Sequence, residues 1–182
     1  MRVISGKYKG RRLTAFKASH IRPTTDQTKE SIFNSLRPYL AQAHVVDLYA
    51  GTGSLGIEAL SQGAQHVCFV ESSRQSLRIL KKNLDLLKVP IDNYKIYPQD
   101  VFLFLKKNER PFDIILIDPP FTEKLAHKTL SALAKGRSLA AQSLVVIESG
   151  PGEKVEEVYG PLSLFRQRDF GDKKVSFFKK KE

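Results

Sequence analysis

Residues 44–60 read HVVDLYAGTGSLGIEAL, and this stretch decides the fold. A short apolar run leads through the carboxylate of Asp47 into a glycine-rich turn, and apolar residues then recur at helical spacing. Glycines in such a turn let the backbone bend sharply and come close to a ligand, with the N–H groups of the following helix open to it. The pattern therefore predicts a strand, a ligand-binding loop and a helix.

The same alternation of apolar runs and helical patterns continues along the chain. Further strands are predicted at 66–71, 94–100, 112–118 and 143–149. Strands that are apolar on both faces and separated by amphipathic helices indicate a parallel sheet covered by helices on both sides. The last two apolar-rich runs are joined at Gly171-Asp172, which predicts an antiparallel hairpin at the sheet edge. The expected fold is a doubly wound α/β domain with a mostly parallel sheet of seven strands.

The N-terminal part of the chain is expected to add a small basic hairpin and a helix. Two short strands, 2–5 and 12–16, are predicted on either side of the turn-rich GKYKG. A helix is predicted from Thr25 or Asp26, either of which can cap it, to the residue before Pro38.

Length and composition are those of one globular domain. At 182 residues the chain suits a hairpin extension, 1–25, and a Rossmann-like core, 26–182. No apolar run comes near the roughly 20 residues of a membrane helix, and the N-terminus lacks the apolar core of a signal peptide, so no membrane partner and a cytoplasmic location are expected. The single cysteine, Cys68, excludes an internal disulfide, and the four histidines lack metal-binding spacing, so no metal is expected.

The net charge of +11 is concentrated at the two ends of the chain. Residues 1–30 hold eight Lys or Arg against two acids, and residues 164–182 hold seven against three, whereas residues 44–150 hold thirteen against eleven. A field of this sign attracts polyanions and is typical of proteins that bind nucleic acid or a membrane surface. The distribution indicates a basic surface beside a site built by the middle of the chain. A solvated surface that only favours solubility is the alternative.

The glycine loop and the next strand end hold residues suited to a nucleotide-like cofactor. Gly51, Gly53 and Gly56 have the spacing of a dinucleotide-binding loop. Glu71 follows where such proteins bind a ribose hydroxyl, so NAD is possible on this motif alone. Asp47 would repel a dinucleotide pyrophosphate but attract the ammonium or sulfonium of S-adenosylmethionine, which favours the methyl donor. An ordinary strand-helix turn is the structural alternative.

A further carboxylate ends the third predicted strand. Asp100 can accept a hydrogen bond from an adenine amino group, while the backbone of Val101 can meet the ring. A simple helix N-cap at Asp100 is the alternative.

The strongest chemical signal is Asp118-Pro119-Pro120-Phe121, at the end of the fourth predicted strand. An exocyclic base amine is a poor nucleophile because its lone pair is delocalised into the ring. The Asp118 carboxylate and the Pro119 carbonyl, held rigidly by consecutive prolines, can accept hydrogen bonds from its two N–H groups. They thereby favour a pyramidal nitrogen that attacks a methyl group in line. Phe121 can stack on the extruded base. Cys68 lies inside a predicted strand and no Pro-Cys dipeptide occurs, so cytosine methylation through a cysteine is disfavoured.

On these residues the chain resembles the RsmD-type bacterial methyltransferases, which form N2-methylguanosine in 16S ribosomal RNA. The resemblance covers nearly the whole chain. Its motifs are MRVISGKYKGRRL at 1–13, RPTTDQTKESIFN at 22–34, DLYAGTGSLGIEALSQGA at 47–64, FVE ending at Glu71, and FDIILIDPPF at 112–121. The two N-terminal motifs are the specific ones, because the glycine loop and DPPF are shared with adenine-N6 enzymes. Tyr49 and Thr52 stand where the family more often has Phe and Ser.

The resemblance implies a Rossmann-like class I fold, S-adenosylmethionine as cofactor, and a guanine of 16S ribosomal RNA as target. The residues implied to contact the cofactor are Thr24, Thr25, Phe33, Asn34, Asp47, Ala50, Gly51, Thr52, Gly53, Glu71, Ser72, Asp100 and Val101. Those implied to meet the guanine are Asp118, Pro119, Pro120 and Phe121. RNA phosphates would be bound by Lys7, Lys9, Arg11, Arg12 and Arg22. The implied partner is the small ribosomal subunit or an assembly intermediate, and a monomer is expected.

Three other functions stay open on the sequence. An adenine-N6 amino-methyltransferase of DNA or another RNA would use the same motifs, but about 40 residues before the glycine loop leave little room for a sequence-reading domain. An NAD-dependent oxidoreductase would use the glycines and Glu71, and Asp47 and DPPF argue against it. A non-catalytic RNA-binding module is disfavoured because the acidic residues of the site are intact.

Overall fold

The computed structural model of the chain describes residues 1–16, 25–121, 125–150 and 152–181. Its helices are α1 (Asp26–Leu40), α2 (Ser54–Ser61), α3 (Arg74–Leu86), α4 (Val101–Lys107) and α5 (Leu125–Lys135), with 3₁₀ turns at Gly6–Tyr8 and Ile91–Asn93. Its strands are β1 (His44–Leu48), β2 (His66–Val70), β3 (Tyr94–Tyr97), β4 (Phe112–Ile117), β5 (Leu139–Ser149), β6 (Val158–Tyr159), β7 (Leu162–Asp169) and β8 (Lys174–Lys180). Within these described ranges, no helix is both long and apolar enough to cross a membrane.

The described strands form one sheet in the order β3-β2-β1-β4-β5-β8-β7-β6. Strands β1 to β5 pair in parallel, and β8, β7 and β6 extend the sheet with antiparallel pairs. The predicted α/β fold, with its parallel centre and antiparallel final hairpin, is confirmed. The predicted count of seven strands is wrong by one, because β6 has only two residues and is too short to show an alternating pattern.

Helices cover the sheet on both faces. Because successive residues of a strand point to opposite sides, each central strand packs against both helix layers. In β4, Ile114 and Leu116 pack in the hydrophobic cluster that contains residues of α1, α2 and α3. Ile115 and Ile117 pack in the second cluster, with residues of α4 and α5. All four side chains are at most 1% exposed, which explains why residues 114–117 of this strand are all apolar.

Helix α1 begins as predicted and ends later than predicted. Thr25 is its N-cap, and its side-chain oxygen accepts a hydrogen bond from Thr28 N at 3.2 Å. The predicted end before Pro38 is wrong, because the helix continues to Leu40. The proline removes one backbone hydrogen bond, but it is exposed. Leu36 and Leu40 on either side of it are each only 1% exposed, so packing of the last turn holds the helix together.

The N-terminal residues form two antiparallel arms rather than two regular strands. Val3 N donates to Arg11 O at 3.0 Å and Gly10 N donates to Val3 O at 2.9 Å, and a 3₁₀ turn closes the tip. Only Arg2 and Arg12 form a β-bridge in this part of the described chain. The predicted hairpin topology is therefore confirmed, and the predicted strands 2–5 and 12–16 are wrong as regular strands.

The buried carboxylate of Glu58 in α2 explains why the ladder is interrupted. It accepts hydrogen bonds from Ile4 N and Ser5 N, each at 2.9 Å, so these donors bond to a side chain instead of a neighbouring strand. Lys29 of α1 is fully buried, lies 3.4 Å from the same carboxylate and donates to the Arg2 carbonyl. Burial lowers the pKa of Lys29, and the charge of Glu58 opposes that shift. The network ties the N-terminal arms to two helices.

Candidate active site at the carboxyl edge of the sheet

The order of the strands reverses between β1 and β4. From β1 the chain moves outward to β2 and β3, and it then returns to β4 on the other side of β1. In a doubly wound sheet the ligand crevice lies at the carboxyl ends of the strands at such a reversal. Leu48, the last residue of β1, pairs with Ile117, the last residue of β4. The glycine loop and the DPPF segment therefore begin side by side.

Asp47 lies just before the reversal and binds the start of α2. Its side chain is 1% exposed, and Oδ2 accepts a hydrogen bond from Gly56 N at 2.8 Å. A Cβ atom on Gly56 would lie 2.3 Å from Cε1 of Phe69 and 3.0 Å from the Asp47 carboxylate. Glycine is therefore required at this position, because any side chain would separate the helix from the carboxylate and the strand.

The electrostatic setting of Asp47 suits a cationic ligand. Burial raises its pKa to about 8 from an ordinary value of 3.8, and the hydrogen bond from Gly56 lowers it in part. The negative charges of Asp118 and Glu71 raise it further. Asp47 in β1 is thus within electrostatic range of Glu71, which follows β2, and of Asp118, which follows β4. A positive group placed among them would favour the ionised form of Asp47.

The loop after β1 is held in an unusual backbone conformation. Tyr49 has φ of 63°, a left-handed value that is uncommon outside glycine. Its hydroxyl lies 2.7 Å from the hydroxyl of Thr129 in α5. Gly53 has φ of 89°, and a Cβ atom there would lie 2.4 Å from the Leu80 side chain. The tyrosine that departs from the family pattern therefore gains a hydrogen bond that phenylalanine could not make.

Two other predicted cofactor residues connect this loop to its surroundings. Ala50 is buried and donates from its backbone to Val70 O at 3.0 Å, which joins the loop to the end of β2. The Thr52 carbonyl accepts from the Asn83 side chain of α3 at 2.9 Å, and its hydroxyl lies 3.9 Å from the Met1 sulfur. The first residue of the chain is thus a neighbour of the glycine loop.

Glu71 joins the glycine loop to the start of α3. One carboxylate oxygen accepts from Gly51 N at 2.8 Å and the other accepts from Ser73 N at 2.7 Å. Ser72, between them, is exposed. An ionised carboxylate has about four lone-pair positions, so each oxygen can accept a further hydrogen bond from a ribose hydroxyl. The structure therefore places Glu71 beside the loop, and its binding of a ribose stays a prediction.

The sequence left two roles open for Asp100, contact with an adenine and capping of a helix. It is the N-cap of α4, where its side chain accepts from Leu103 N at 3.0 Å. The strand before it, β3, ends at Tyr97 and is shorter than predicted. Asp100 is exposed, whereas Val101 is 3% exposed and packs in the core. The capping role is confirmed, and contact with an adenine stays a prediction.

The DPPF segment brings a carboxylate and an aromatic ring to the same edge. Asp118 is half-buried, Pro119 is buried and Pro120 is exposed. Phe121 is 37% exposed and lies against the end of β5, where a Cβ atom on Gly150 would be 3.2 Å from its own Cβ. Asp118 therefore lies at the strand reversal, and Phe121 lies at the end of the neighbouring strand β5.

Sequence reasoning missed an ion pair beside Asp118. Ile117 pairs with Ile147, so Glu148 is level with Asp118 on the neighbouring strand. Glu148 is 1% exposed, and its carboxylate is in contact with the ammonium of Lys173, which is 7% exposed. The signal in the sequence was a glutamate directly after the apolar run 144–147, and its partner lies 25 residues further along the chain.

The described residues of the 22–34 motif, from Thr25 onward, lie at the start of helix α1 or within it. Arg22 and Thr24 lie outside the described residues. Thr25 caps α1, and Phe33 is a core side chain at 1% exposure. Asn34 is exposed and lines a groove of about 380 Å³ between α1 and the N-terminal arm. The proposed roles of Thr25, Phe33 and Asn34 toward the cofactor stay predictions.

The basic residues of the N-terminal hairpin lie on the surface. The side chains predicted to bind phosphate, Lys7, Lys9, Arg11 and Arg12, are all exposed. The tip of the hairpin is bound to the end of α2, where Tyr8 N donates to Ser61 Oγ at 2.9 Å. The open end is near the glycine loop, since Met1 approaches Thr52. Arg12 therefore lies toward the carboxyl edge of the sheet, and the lysines at the tip lie further from it.

Cys68 is a core side chain, as predicted. It is 5% exposed in β2, and burial raises the pKa of its thiol to about 11. A nucleophilic cysteine needs an accessible, readily ionised thiol, so this residue does not suit covalent attack on a cytosine.

Comparison with known proteins assigns the chain to a family. The family model described as conserved hypothetical protein 95 matches residues 1–179. Ribosomal RNA small subunit methyltransferase D of Haemophilus influenzae is 38% identical over 82% of this chain and 78% of its own length. The protein of the same name from Escherichia coli is 34% identical over 94% of this chain and 85% of its own length. The chain belongs to the RsmD-type methyltransferase family.

Solved structures agree with membership of the RsmD-type family. The structure of yhhF from Escherichia coli has a TM-score of 0.88 at 32% identity and covers 100% of this chain and 98% of that one. The structure of HI0767 from Haemophilus influenzae covers the same shares at 32% identity, with a TM-score of 0.84. The predicted methyltransferase fold is therefore confirmed over the length of the chain, and the glycine loop and DPPF lie at its strand reversal.

Proposed function

We propose that this RsmD-type protein transfers a methyl group from S-adenosylmethionine to N2 of a guanine in 16S ribosomal RNA. The observation that carries this proposal is the position of Asp118 and Pro119 beside the glycine loop, at the point where the strand order reverses. The relatives from Haemophilus influenzae and Escherichia coli are named as methyltransferases of small-subunit ribosomal RNA. Their names support the RNA substrate, and the DPPF chemistry supports an exocyclic amine as acceptor.

The acidic residues at this edge suit the charges of S-adenosylmethionine. The buried carboxylate of Asp47 and the half-buried carboxylate of Glu71 flank the glycine loop. They attract an ammonium and a sulfonium, and they repel the pyrophosphate of NAD. We assign the methionine part to residues 50–53, the ribose hydroxyls to Glu71, and the adenine to Asp100 and Val101.

Asp118 and Pro119 would hold the target amine. The Asp118 carboxylate and the Pro119 carbonyl would accept hydrogen bonds from the two N–H groups of the exocyclic nitrogen, which directs its lone pair toward the methyl donor. When bound, S-adenosylmethionine would supply an electrophilic methyl group, with the S–C bond breaking as the N–C bond forms. The nitrogen becomes acidic once methylated, and its proton passes to Asp118 or to water. The reaction therefore needs no strong base.

Phe121 would hold the base in place once it has left its RNA structure. The ring is accessible at the end of β5, next to Gly150. Stacking on an aromatic side chain is the usual way in which a protein binds an unpaired or extruded base. Pro119 and Pro120 restrict the backbone before the ring, which limits its movement relative to Asp118.

The RNA phosphates would be bound in part by the N-terminal hairpin. Its exposed basic side chains, together with Arg22, supply the positive field that phosphate contacts need. We propose that the protein acts as a monomer in the cytoplasm, on the small ribosomal subunit or an assembly intermediate. A ribosomal substrate supports a cytoplasmic location, because bacterial ribosomes are assembled in the cytoplasm.

The test is methyl transfer from labelled S-adenosylmethionine to three substrates: naked 16S RNA, small subunits lacking the modification, and DNA. Nucleoside analysis should find the label in N2-methylguanosine. The rates of transfer to naked 16S RNA and to small subunits should show which of the two is the substrate. Label in N6-methyladenine of DNA would keep the amine chemistry and overturn the substrate. A thermal shift with NAD but not with S-adenosylhomocysteine would overturn the cofactor.

A further inference from the structure

The two basic ends of the chain both contact helix α1, on different sides of it. At its first turn, Arg2 of the N-terminal arm donates to Asp26 at 2.8 Å. On its other side, two arginines of β7 donate to serines of the helix: Arg168 to Ser31 at 2.6 Å and Arg166 to Ser35 at 3.2 Å. Residues that are far apart in the sequence therefore lie beside one another around a single helix.

A β-bulge in β7 presents an aromatic ring next to these arginines. Leu164 pairs with Phe178 and Arg166 pairs with Phe177, so Phe165 is the extra residue between two ladder positions. Bulges of this kind redirect a side chain out of the regular alternation. Phe165 is 53% exposed, and its ring lies 6.2 Å from the buried ring of Phe177, which supports one part of it.

The outer edge of β7 is open beside this ring. The short strand β6 pairs only with Leu162 and Ser163, so the part of β7 that carries Phe165, Arg166 and Arg168 has no further strand beyond it in the described chain. β7 runs in the same direction as β5 because both pair antiparallel with β8. Its end is thus at the same edge as Asp118, three strand spacings or roughly 14 Å away.

Protection of a sheet edge accounts for the arginines but not for the phenylalanine. Charged residues on an edge strand prevent pairing with another molecule. An exposed Phe165 at a bulge weakens such protection, since it adds an apolar group to the open edge. Each guanidinium has five N–H donors, and a single bond to a serine leaves donors for a phosphate while fixing the direction of the side chain. An aromatic ring between oriented cations is the arrangement that single-stranded nucleic acid needs.

We propose that Phe165, Arg166 and Arg168 form a second RNA contact, which we call the β7 platform, and that it binds an unpaired stretch of the substrate near the target guanine. One base stacks on Phe165, and Arg166 and Arg168 bind the flanking phosphates. Helix α1 connects this platform to the N-terminal hairpin, so the RNA passes over both basic ends of the chain. The inference rests on the proposed function for the identity of the RNA.

The charge contribution is tested with a matched pair of double variants. Arg166→Gln with Arg168→Gln removes two charges from the platform, and Lys106→Gln with Lys107→Gln removes two exposed charges from α4 on the opposite face of the sheet. Binding to 16S RNA is measured over a range of salt concentrations. The platform variant should reduce the magnitude of the log–log salt slope by about 1.4, as expected for two phosphates of a single strand. The α4 variant should leave the slope unchanged, and equal effects would overturn the proposal.

The stacking contribution is tested at Phe165. Phe165→Ala should weaken binding of a single-stranded RNA oligonucleotide by roughly tenfold, and Phe165→Tyr should restore it, because stacking tolerates any aromatic ring. Binding of an RNA duplex should change little. Equal loss by Phe165→Ala and Phe165→Tyr, or equal loss for duplex and single strand, would contradict stacking on this ring.

Variants of the α1 serines test whether Arg166 and Arg168 act only by packing against the helix. Ser31→Ala with Ser35→Ala removes both arginine–serine hydrogen bonds, together with the bond from Ser35 Oγ to the Ser31 carbonyl at 3.1 Å. It keeps both charges and the ring, so its salt slope should match that of the wild-type protein. A slope reduced as in the arginine variant would mean that the effect comes from loosened packing and would overturn the proposal. Failure of the wild-type protein to methylate any RNA would instead overturn the proposed function, since binding and transfer are measured separately.

Discussion

At the residue scale, the buried carboxylate of Asp47 makes cofactor binding depend on pH. Its pKa is about 8 without a ligand, so much of it is protonated at neutral pH, whereas a cationic ligand prefers the ionised form. The affinity for S-adenosylhomocysteine, which keeps the ammonium, should rise as the pH increases toward 8, by up to about tenfold per pH unit, and level off above it. Calorimetric titrations measure this affinity between about pH 6 and pH 9, a range that brackets the pKa of Asp47.

Asp47→Asn supplies the control for that titration. The amide can still accept the hydrogen bond from Gly56, but it cannot ionise, so its affinity should be lower and independent of pH in this range. If the variant keeps the pH dependence of the wild-type protein, another group is responsible.

The close approach at Gly56 gives a second prediction at this scale. Gly56→Ala places a methyl group 2.3 Å from the Phe69 ring and 3.0 Å from the Asp47 carboxylate. Overpacking of this kind costs about 1–3 kcal/mol of unfolding free energy, which should exceed the gain of up to about 1 kcal/mol from alanine in a helix. Gly152→Ala is the matched control because a Cβ atom there meets nothing within 4 Å. Urea unfolding should show a loss only for Gly56→Ala, and equal stability of both variants would contradict the packing around Asp47.

At the element scale, the sequence correctly predicted the strands and helices whose buried side chains follow one regular pattern from end to end. Residues 114–117 of β4 are all apolar because their side chains are buried on both faces of the sheet. The errors occur where tertiary contacts replace local rules. The packing of Leu40 carries α1 past Pro38, and the carboxylate of Glu58 takes the donors that would have formed the N-terminal ladder.

The attachment of the N-terminal arms predicts a large effect at Glu58. Glu58→Ala leaves the N–H groups of Ile4 and Ser5 without this acceptor and leaves Lys29 buried without its partner. Removal of one member of a buried pair costs about 3–5 kcal/mol. Chemical unfolding should show this loss, with earlier proteolysis near the N-terminus.

An exposed pair provides the comparison for Glu58. Glu109 contacts Arg137 at 3.1 Å, with both side chains 77% exposed. Glu109→Ala should cost less than about 1 kcal/mol, as is usual for surface pairs. If the two variants are equally stable, Glu58 does not hold the hairpin in the way described.

At the scale of the whole molecule, the positive charge excess predicts salt-sensitive RNA binding. Replacing Lys7, Lys9, Arg11 and Arg12 with glutamine should weaken binding to 16S RNA and flatten its salt dependence, because fewer counterions are released. The affinity for S-adenosylhomocysteine should stay the same. An unchanged salt slope would place the RNA on another surface of the protein.

The position of the site was predictable, and part of its surroundings was not. Asp47, Glu71 and Asp118 all follow apolar runs, and parallel strands bring such positions to one edge. Glu148 and Lys173 depend instead on the pairing of β5 with β8 and on the turn before it, which no local pattern specifies. The bulge at Phe165 likewise appears only when the register of β7 against β8 is known.

The central claim is that Asp118 holds the amine that is methylated. The most direct test is the turnover rate of Asp118→Asn on 16S RNA at saturating cofactor, with Asp113→Asn as control. Asp113 lies in the same strand at the opposite end, where its carboxylate accepts from His44 N at 2.8 Å. Loss of a group that stabilises the transition state should lower the rate of Asp118→Asn by at least about 100-fold. Binding of S-adenosylhomocysteine should be retained, and Asp113→Asn should remain active. A rate for Asp118→Asn within a few-fold of the wild-type rate, with N2-methylguanosine still the product, would contradict the account.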